Sequence, residues 1–253
     1  MGKTIAVINQ KGGVGKSTTA QALTVGLSLR GYKTLIIDMD AQGNTSFTLQ
    51  ANREGATVLG VLLQEIPIAE AIQHKEHTDI IAASRSLAGA DGLITETGKE
   101  YRLKEAIEPI KESYDYIILD TPPALSILTT NALTAADSVI IPAQADIYSL
   151  NGIADLIDTI KPVKKYCNPA LQIEGILLTR YAARSGFNTE LMEIAESLAN
   201  NLKTKVFRAT IREAIAVKKA QASQQSIYDY DRTAKVTEDY TAFINELIGD
   251  DTQ

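Results

Sequence analysis

Short apolar clusters alternate along the chain with stretches of helical periodicity. Thr4 to Ile8 clusters β-formers, and Leu35-Ile36-Ile37, Tyr116-Ile117-Ile118-Leu119, Ser138-Val139-Ile140-Ile141-Pro142 and Ile173 to Thr179 repeat that signature at strand length. Between them Ala20, Leu23 and Leu27, and later Ile153, Leu156, Ile157 and Ile160, recur at the spacing of a helix with one apolar side. Thr57 to Ile72 predicts a further, partly apolar helix, and Asp79 to Ala82 another short strand. Tyr101, Leu103, Ile107 and Ile110 predict an amphipathic helix that the Glu108-Pro109 step makes irregular or ends early. Strands alternating with helices predict an α/β fold, a doubly wound, mostly parallel sheet with helices on both faces. With no internal repeat, low-complexity tract or linker, one domain spanning residues 1–253 is expected.

Composition narrows the class. A chain of 253 residues can bury a sizeable core, and its single cysteine, Cys167, leaves no disulfide and no cysteine cluster for zinc or iron–sulfur ligation. No apolar run has the length of a membrane span, and Met1-Gly2-Lys3 leads straight into the first strand, so no signal peptide and a cytoplasmic protein are expected. The formal net charge of −6 argues against strong nucleic-acid binding unless a local basic patch supplies it.

The chemistry is concentrated at the first strand–helix junction, which reads Gln10-Lys11-Gly12-Gly13-Val14-Gly15-Lys16-Ser17-Thr18. Gly12, Gly13 and Gly15 lack a Cβ, so the backbone can aim successive N–H groups at one anion, helped by the dipole of the helix that follows. Lys16 is placed to neutralise the β and γ phosphates of a nucleoside triphosphate, Ser17 to offer a hydroxyl to Mg²⁺, and Thr18 to sit near the α phosphate. Two carboxylate-bearing strand ends follow: Leu35-Ile36-Ile37-Asp38-Met39-Asp40 and Tyr116-Ile117-Ile118-Leu119-Asp120-Thr121-Pro122-Pro123. Carboxyl ends of parallel strands lie at the ligand edge of such a sheet, beside the phosphate loop.

Gln10 stands where an ordinary Walker A loop has its first glycine, and a second lysine, Lys11, follows it. This deviant Walker A motif resembles that of the ParA/MinD superfamily of ATPases, and the resemblance covers Lys3 to about Leu247. It implies a P-loop NTPase fold, ATP and Mg²⁺ as cofactors, and an ATP-bound homodimer in which Lys11 reaches across the interface to the partner's phosphates. It further implies that Lys11, Lys16 and Asp40 are catalytic, with Asp40 orienting or deprotonating the attacking water. Asp38 and Asp120 would act on the metal through water, and the ATP-binding set would be Lys11, Gly12, Gly13, Val14, Gly15, Lys16, Ser17, Thr18 and Arg180. Near the end of the late strand, Arg180 either stacks on the base or pairs with a carboxylate. The family's Ile-Pro step is absent from the following segment, where this chain reads Thr210-Ile211-Arg212.

Absences select among branches. One cysteine per subunit is too few for a nitrogenase-type iron protein, and Tyr228, Tyr230 and Tyr240 are too sparse for the tyrosine cluster of a bacterial tyrosine kinase of this class. The acidic stretch Asn245 to Gln253 differs from the basic amphipathic helix by which MinD proteins lie on anionic lipid, so no membrane partner is expected. The ParA or Soj-like group of DNA-partitioning ATPases remains, in a short form without an N-terminal helix-turn-helix. Arg212 to Ala222 and Ser226 to Tyr230 resemble the corresponding segments of that group. The resemblance implies sequence-independent binding of nucleoid DNA in the ATP state and release by hydrolysis that a ParB-like, centromere-binding partner stimulates. Arg184, Arg208, Arg212, Lys218 and Lys219 concentrate positive charge in the C-terminal third and are the candidate DNA contacts. The alternative is a MinD- or McdA-like positioning ATPase that carries a protein cargo. A third reading, a carboxylate- or amide-activating synthetase of the same fold, lacks a motif for a second substrate.

Overall fold

The computed structural model describes residues 2–181 and 187–250. In chain order the main elements are β1 (Lys3–Val7), α1 (Lys16–Ser28), β2 (Thr34–Asp38), α2 (Asn44–Thr48), α3 (Val58–Leu62), α4 (Ile68–Ala71), β3 (Ile72–His74), β4 (Asp79–Ile81), α5 (Ala90–Leu93) and α6 (Arg102–Ile107). They continue through β5 (Tyr116–Asp120), α7 (Ile127–Ala135), β6 (Ser138–Gln144), α8 (Ile147–Tyr166), β7 (Gln172–Thr179), α9 (Phe187–Asn201), α10 (Ile215–Ala222), α11 (Ile227–Tyr230) and α12 (Lys235–Ile248).

The strands form one seven-stranded sheet in the order β3-β4-β2-β5-β1-β6-β7. Every pairing is parallel except β3 with β4, whose short antiparallel ladder places β3 at the edge. The doubly wound, mostly parallel sheet predicted from the alternation of elements is therefore observed. Its strands are apolar at successive positions because both faces are covered. Ile5, Val7, Ile36, Ile118, Ile140 and Leu177 pack with α1, α11 and α12 on one side, while Ala6, Leu35, Ile37, Leu119, Ile141 and Leu178 pack with α3, α6, α7, α8 and α9 on the other. The twofold period of a strand sorts neighbours into opposite cores.

The central strand β1 has β5 on one side and β6 on the other. Consecutive connections leave the sheet in opposite directions there, and the crevice at the carboxyl end of β1 is where such folds take ligands. The helix that starts from this crevice, α1, is held tightly: a Cβ on Gly26 would lie 2.7 Å from the Tyr228 hydroxyl, so only glycine lets α1 approach α11 and α12 this closely.

Two helical expectations are modified. Thr57 to Ile72 is not one helix but α3 and α4, separated where Gln64 adopts a left-handed backbone (φ 60°) and Pro67 precedes α4 in an extended conformation. The amphipathic segment from Tyr101 ends its α-helical part at Ile107 and tightens into a 3₁₀ turn from Glu108 to Ser113, the irregularity that Pro109 predicts.

Candidate active site

The loop after β1 is shaped by its glycines. Gly13 (φ 77°) and Gly15 (φ 89°) both adopt the left-handed backbone, and Gly15 is the residue before the first turn of α1. No side chain caps that turn, so its N–H groups face the crevice unpaired by a cap. Gly12, Gly13, Gly15, Lys16, Ser17 and Thr18 line a cleft of about 600 Å³. Val14 is fully buried; its carbonyl accepts a 2.8 Å hydrogen bond from the Thr179 hydroxyl, which fastens the loop to the end of β7. The upstream turn is fixed by Asn9, whose Oδ1 accepts from the Lys11 N–H (2.9 Å) while its amide donates to the Pro142 carbonyl (2.7 Å). Sequence reading did not single out Asn9, because its role depends on β6 lying beside β1.

The two lysines are held differently. Lys16 is only 7% exposed, and its Nζ donates to the Lys11 carbonyl at 3.1 Å. Burial pulls its pKa down from the usual ammonium value, opposed by the negative charges of Asp120 and Asp40. Lys11 sits on the rim, half-buried, with Nζ 3.0 and 3.1 Å from the two carboxylate oxygens of Asp146. Asp146 is also the N-cap of α8, accepting from the Ser149 N–H at 2.8 Å, a local role that hides its pairing with Lys11 from a reading of the sequence.

Asp38 and Asp120 end adjacent parallel strands in direct register and are fully buried. Their partners come from α2. Asp38 Oδ2 accepts from the Ser46 N–H (2.7 Å) and hydroxyl (2.6 Å), and Asp120 Oδ2 accepts from the Thr45 hydroxyl (2.7 Å). Asp38 Oδ1 accepts from the Asp40 N–H (3.1 Å), while Asp120 Oδ1 is buried without a hydrogen-bond partner. Asp40 lines the cleft itself, its Oδ1 accepting from the Gln42 N–H at 2.9 Å.

On the far side the cleft is walled by Thr179, Arg180, Ile211, Arg212, Glu213, Ala214, Val217, Lys218 and Gln221. Arg180 is exposed and left-handed (φ 50°). Ile211 is bridged to Thr179 and donates its N–H to the Leu178 carbonyl, so the segment lacking the Ile-Pro step still runs along β7. Arg212 is clamped by Asp239 through Nε (2.6 Å) and a terminal nitrogen (2.7 Å). Lys218 and Lys219 are exposed on α10, and Arg208 is exposed with its Nε 3.9 Å from Glu246. Arg184 lies outside the described residues.

A family model described as an AAA domain matches residues 2–173. The chain is 37% identical to the sporulation initiation inhibitor protein Soj of Bacillus subtilis (strain 168), over 98% of each chain. It is also 37% identical to the chromosome partitioning protein ParA of Myxococcus xanthus (strain DK1622), covering 100% of this chain and 90% of that one. This chain belongs to the Soj/ParA group of the ParA/MinD family. Among solved structures it is similar to cobyrinic acid a,c-diamide synthase from Mycobacterium smegmatis with bound ADP and magnesium, at a TM-score of 0.84 and 29% identity, covering 98% of this chain and 94% of that one. The deviant P-loop, the two buried strand-end carboxylates and Asp40 thus belong to a ParA/MinD-family protein.

The donor set of this family member suits a hard cation shared with phosphate. Among the described residues no group of three or more His, Cys, Asp or Glu could hold a metal alone, yet the Asp120 carboxylate keeps one buried oxygen without a hydrogen-bond partner, near the Ser17 hydroxyl that favours its charged form. Mg²⁺ keeps waters and takes part of its shell from phosphate oxygens, which matches a site with few direct protein ligands. Burial pushes the Asp38 carboxyl pKa up, and burial together with the Asp38 charge does the same to Asp120. A raised carboxyl pKa means that the folded state holds more protons than the unfolded one just above the ordinary carboxylate range, so this pair's contribution to stability falls as pH rises. Asp120→Asn is therefore expected to raise the Tm of the metal-free protein at pH 7 by about 2–6 °C. Thermal unfolding by circular dichroism checks this, and an unchanged or lowered Tm contradicts it.

Proposed function

We propose that the protein is an Mg²⁺-dependent, ATP-hydrolysing partition ATPase that works as an ATP-bound homodimer on DNA. The observation that carries this reading is the second lysine of the loop, Lys11, half-buried next to the cleft-lining Gly12, its ammonium held among the described residues by the carboxylate of Asp146. A lysine there serves little purpose toward its own nucleotide, whose phosphates Lys16 already faces. It is well placed for a triphosphate brought by a second copy, where about 4 kcal/mol of charge attraction is available at 4 Å in a partly desolvated interface. Full-length likeness to a chromosome partitioning protein supports the cargo class.

In this reading the P-loop N–H groups and Lys16 hold the triphosphate, and Ser17 with Asp120 and Asp38 positions Mg²⁺ and its waters. Magnesium, when bound, neutralises charge on the phosphate oxygens. Asp40 orients the attacking water, and a ParB-like partner accelerates that step and so releases the dimer from nucleoid DNA inside the cytoplasm. The same interpretation takes residues 1–253 as one ATPase domain.

DNA contact then falls to α10 and its surroundings. Arg212 is committed to Asp239, so its contribution to phosphate binding is smaller than that of the exposed Lys219. Removing one phosphate contact per subunit removes two per dimer. Lys219→Ala should therefore flatten the slope of log affinity against log salt by about 1.8 while leaving ATP turnover intact. Filter retention of non-specific duplex DNA with ATP, across a salt series, reads this; an unchanged slope moves the DNA surface elsewhere.

The net charge of −6 favours a second reading, a positioning ATPase with a protein cargo. DNA retention measured with ATP, with ADP and without nucleotide separates the two, because in the second reading DNA is incidental or absent and strong ATP-dependent retention is not expected.

A further inference from the structure

Helix α2 is only five residues long, yet it joins the two buried carboxylates of the site to α1 and to the α10 segment. Its first residues hold both buried carboxylates, through Thr45 to Asp120 and Ser46 to Asp38, and Thr45 also accepts from the Gln21 amide of α1 at 3.0 Å. Its other end is stitched to α10. The Gln224 amide donates to the Phe47 carbonyl (3.2 Å), and the Gln50 amide donates to the Gln224 carbonyl (2.9 Å).

Both glutamines of this stitch have left-handed backbones, with φ 53° at Gln50 and 52° at Gln224. Each lies just past the end of a helix, a place where such a conformation ends the helix and where glycine adopts it with less steric conflict. Glycine has no side-chain amide, however, and it is the two amides that join the segments. A second tie, from the Gln221 amide to the Thr18 hydroxyl at 3.2 Å, fastens α10 to the P-loop helix. Helix α10 is consequently both a wall of the cleft, through Val217, Lys218 and Gln221, and a surface, through Lys219 and an Ile215 side chain that is 72% exposed.

We propose that α2 and α10 form a nucleotide relay in which the Gln50 and Gln224 amides pass the state of the Asp38–Asp120 site to the outer face of α10. Bound Mg²⁺ and phosphate draw on the same two carboxylates that hold Thr45 and Ser46, so α2 shifts its hydrogen bonding with the nucleotide. The glutamine stitch carries that shift to the helix that presents Lys219 and Ile215. Gln50 and Gln224 are positioning residues that touch neither nucleotide nor metal. The relay rests on the nucleotide-binding part of the function proposed above and does not depend on DNA being the partner.

Amide hydrogen exchange over residues 215–222 tests it, with full-length protein in the presence of Mg²⁺ and a non-hydrolysable ATP analogue, of Mg²⁺ and ADP, or of neither. Wild-type protein should show at least about a fivefold difference in α10 exchange between the ATP-analogue and nucleotide-free states. Gln224→Gly keeps the left-handed backbone and removes the amide; it should shrink that difference to below about twofold, with nucleotide affinity unchanged within about twofold. Gln50→Gly should do the same. A merely structural stitch would change exchange equally in all three states. The relay is overturned if wild-type α10 exchanges identically in every state, or if the difference survives both substitutions. Absence of nucleotide binding overturns relay and function together, whereas nucleotide binding without DNA retention overturns only the DNA reading.

Discussion

Lys16→Ala is expected to remove nucleotide binding, with affinity for ATP and ADP falling at least about 100-fold, the scale set by two lost charge-assisted hydrogen bonds at about 1.5 kcal/mol each. The place of the ammonium sets the size of this loss. At 7% exposure it has little water to lose on binding phosphate, and among the described residues its ammonium donates to the Lys11 carbonyl. Burial already works against its charge, while Asp120 and Asp40 support it, so an incoming triphosphate finds a cation already in place. Alanine leaves the loop glycines and the start of α1 in place but removes the buried cation that lines the cleft. Titration with a fluorescent nucleotide analogue, with far-UV circular dichroism as a check on folding, measures the effect. Affinity retained within about threefold in a folded variant would mean that the phosphates lie elsewhere.

Asp40→Ala should separate binding from turnover. Asp40 lines the cleft, its N–H fixed by Asp38 and its own carboxylate held by the Gln42 N–H, and the proposed function gives it the task of orienting the attacking water. Loss of such a group typically lowers rate by about 10²–10⁴-fold. Because Asp40 is not part of the P-loop cradle, ATP affinity should change little, and the ATP-bound dimer should accumulate. Phosphate release measured at saturating ATP decides the point; undiminished release would remove Asp40 from the chemistry.

Much of this was legible in the sequence because local patterns carried it. Strand and helix periodicities survive as β1, β2, β5, β6 and β7 with α1 and α8 between them, and the glycines predicted to bend the loop include the two that adopt positive φ. What could not be read is whatever depends on non-neighbouring strands. Asp38 and Asp120 each stand at the end of an apolar run, but their register follows from β2 lying beside β5, a pairing 82 residues apart that no local pattern encodes. The same is true of Asp146, which looks like an ordinary helix cap until β6 and the P-loop are brought together. The break between α3 and α4 is not visible in the sequence pattern, because apolar spacing continues through Gln64 and Pro67 while the backbone turns. The Gln50–Gln224 contact was illegible for another reason: nothing in a glutamine's identity signals a left-handed backbone.

The central claim is that ATP is held between two copies of this chain, with Lys11 of each serving the nucleotide of the other. Sedimentation or light scattering of the wild-type protein and of Lys11→Ala, saturated with a non-hydrolysable ATP analogue and Mg²⁺, tests it most directly. Wild-type protein should take the mass of two chains with the analogue and of one chain with ADP, and Lys11→Ala should remain a single chain in both. A wild-type protein that stays monomeric with its nucleotide site full, or a Lys11→Ala variant that dimerises as readily, would contradict the account.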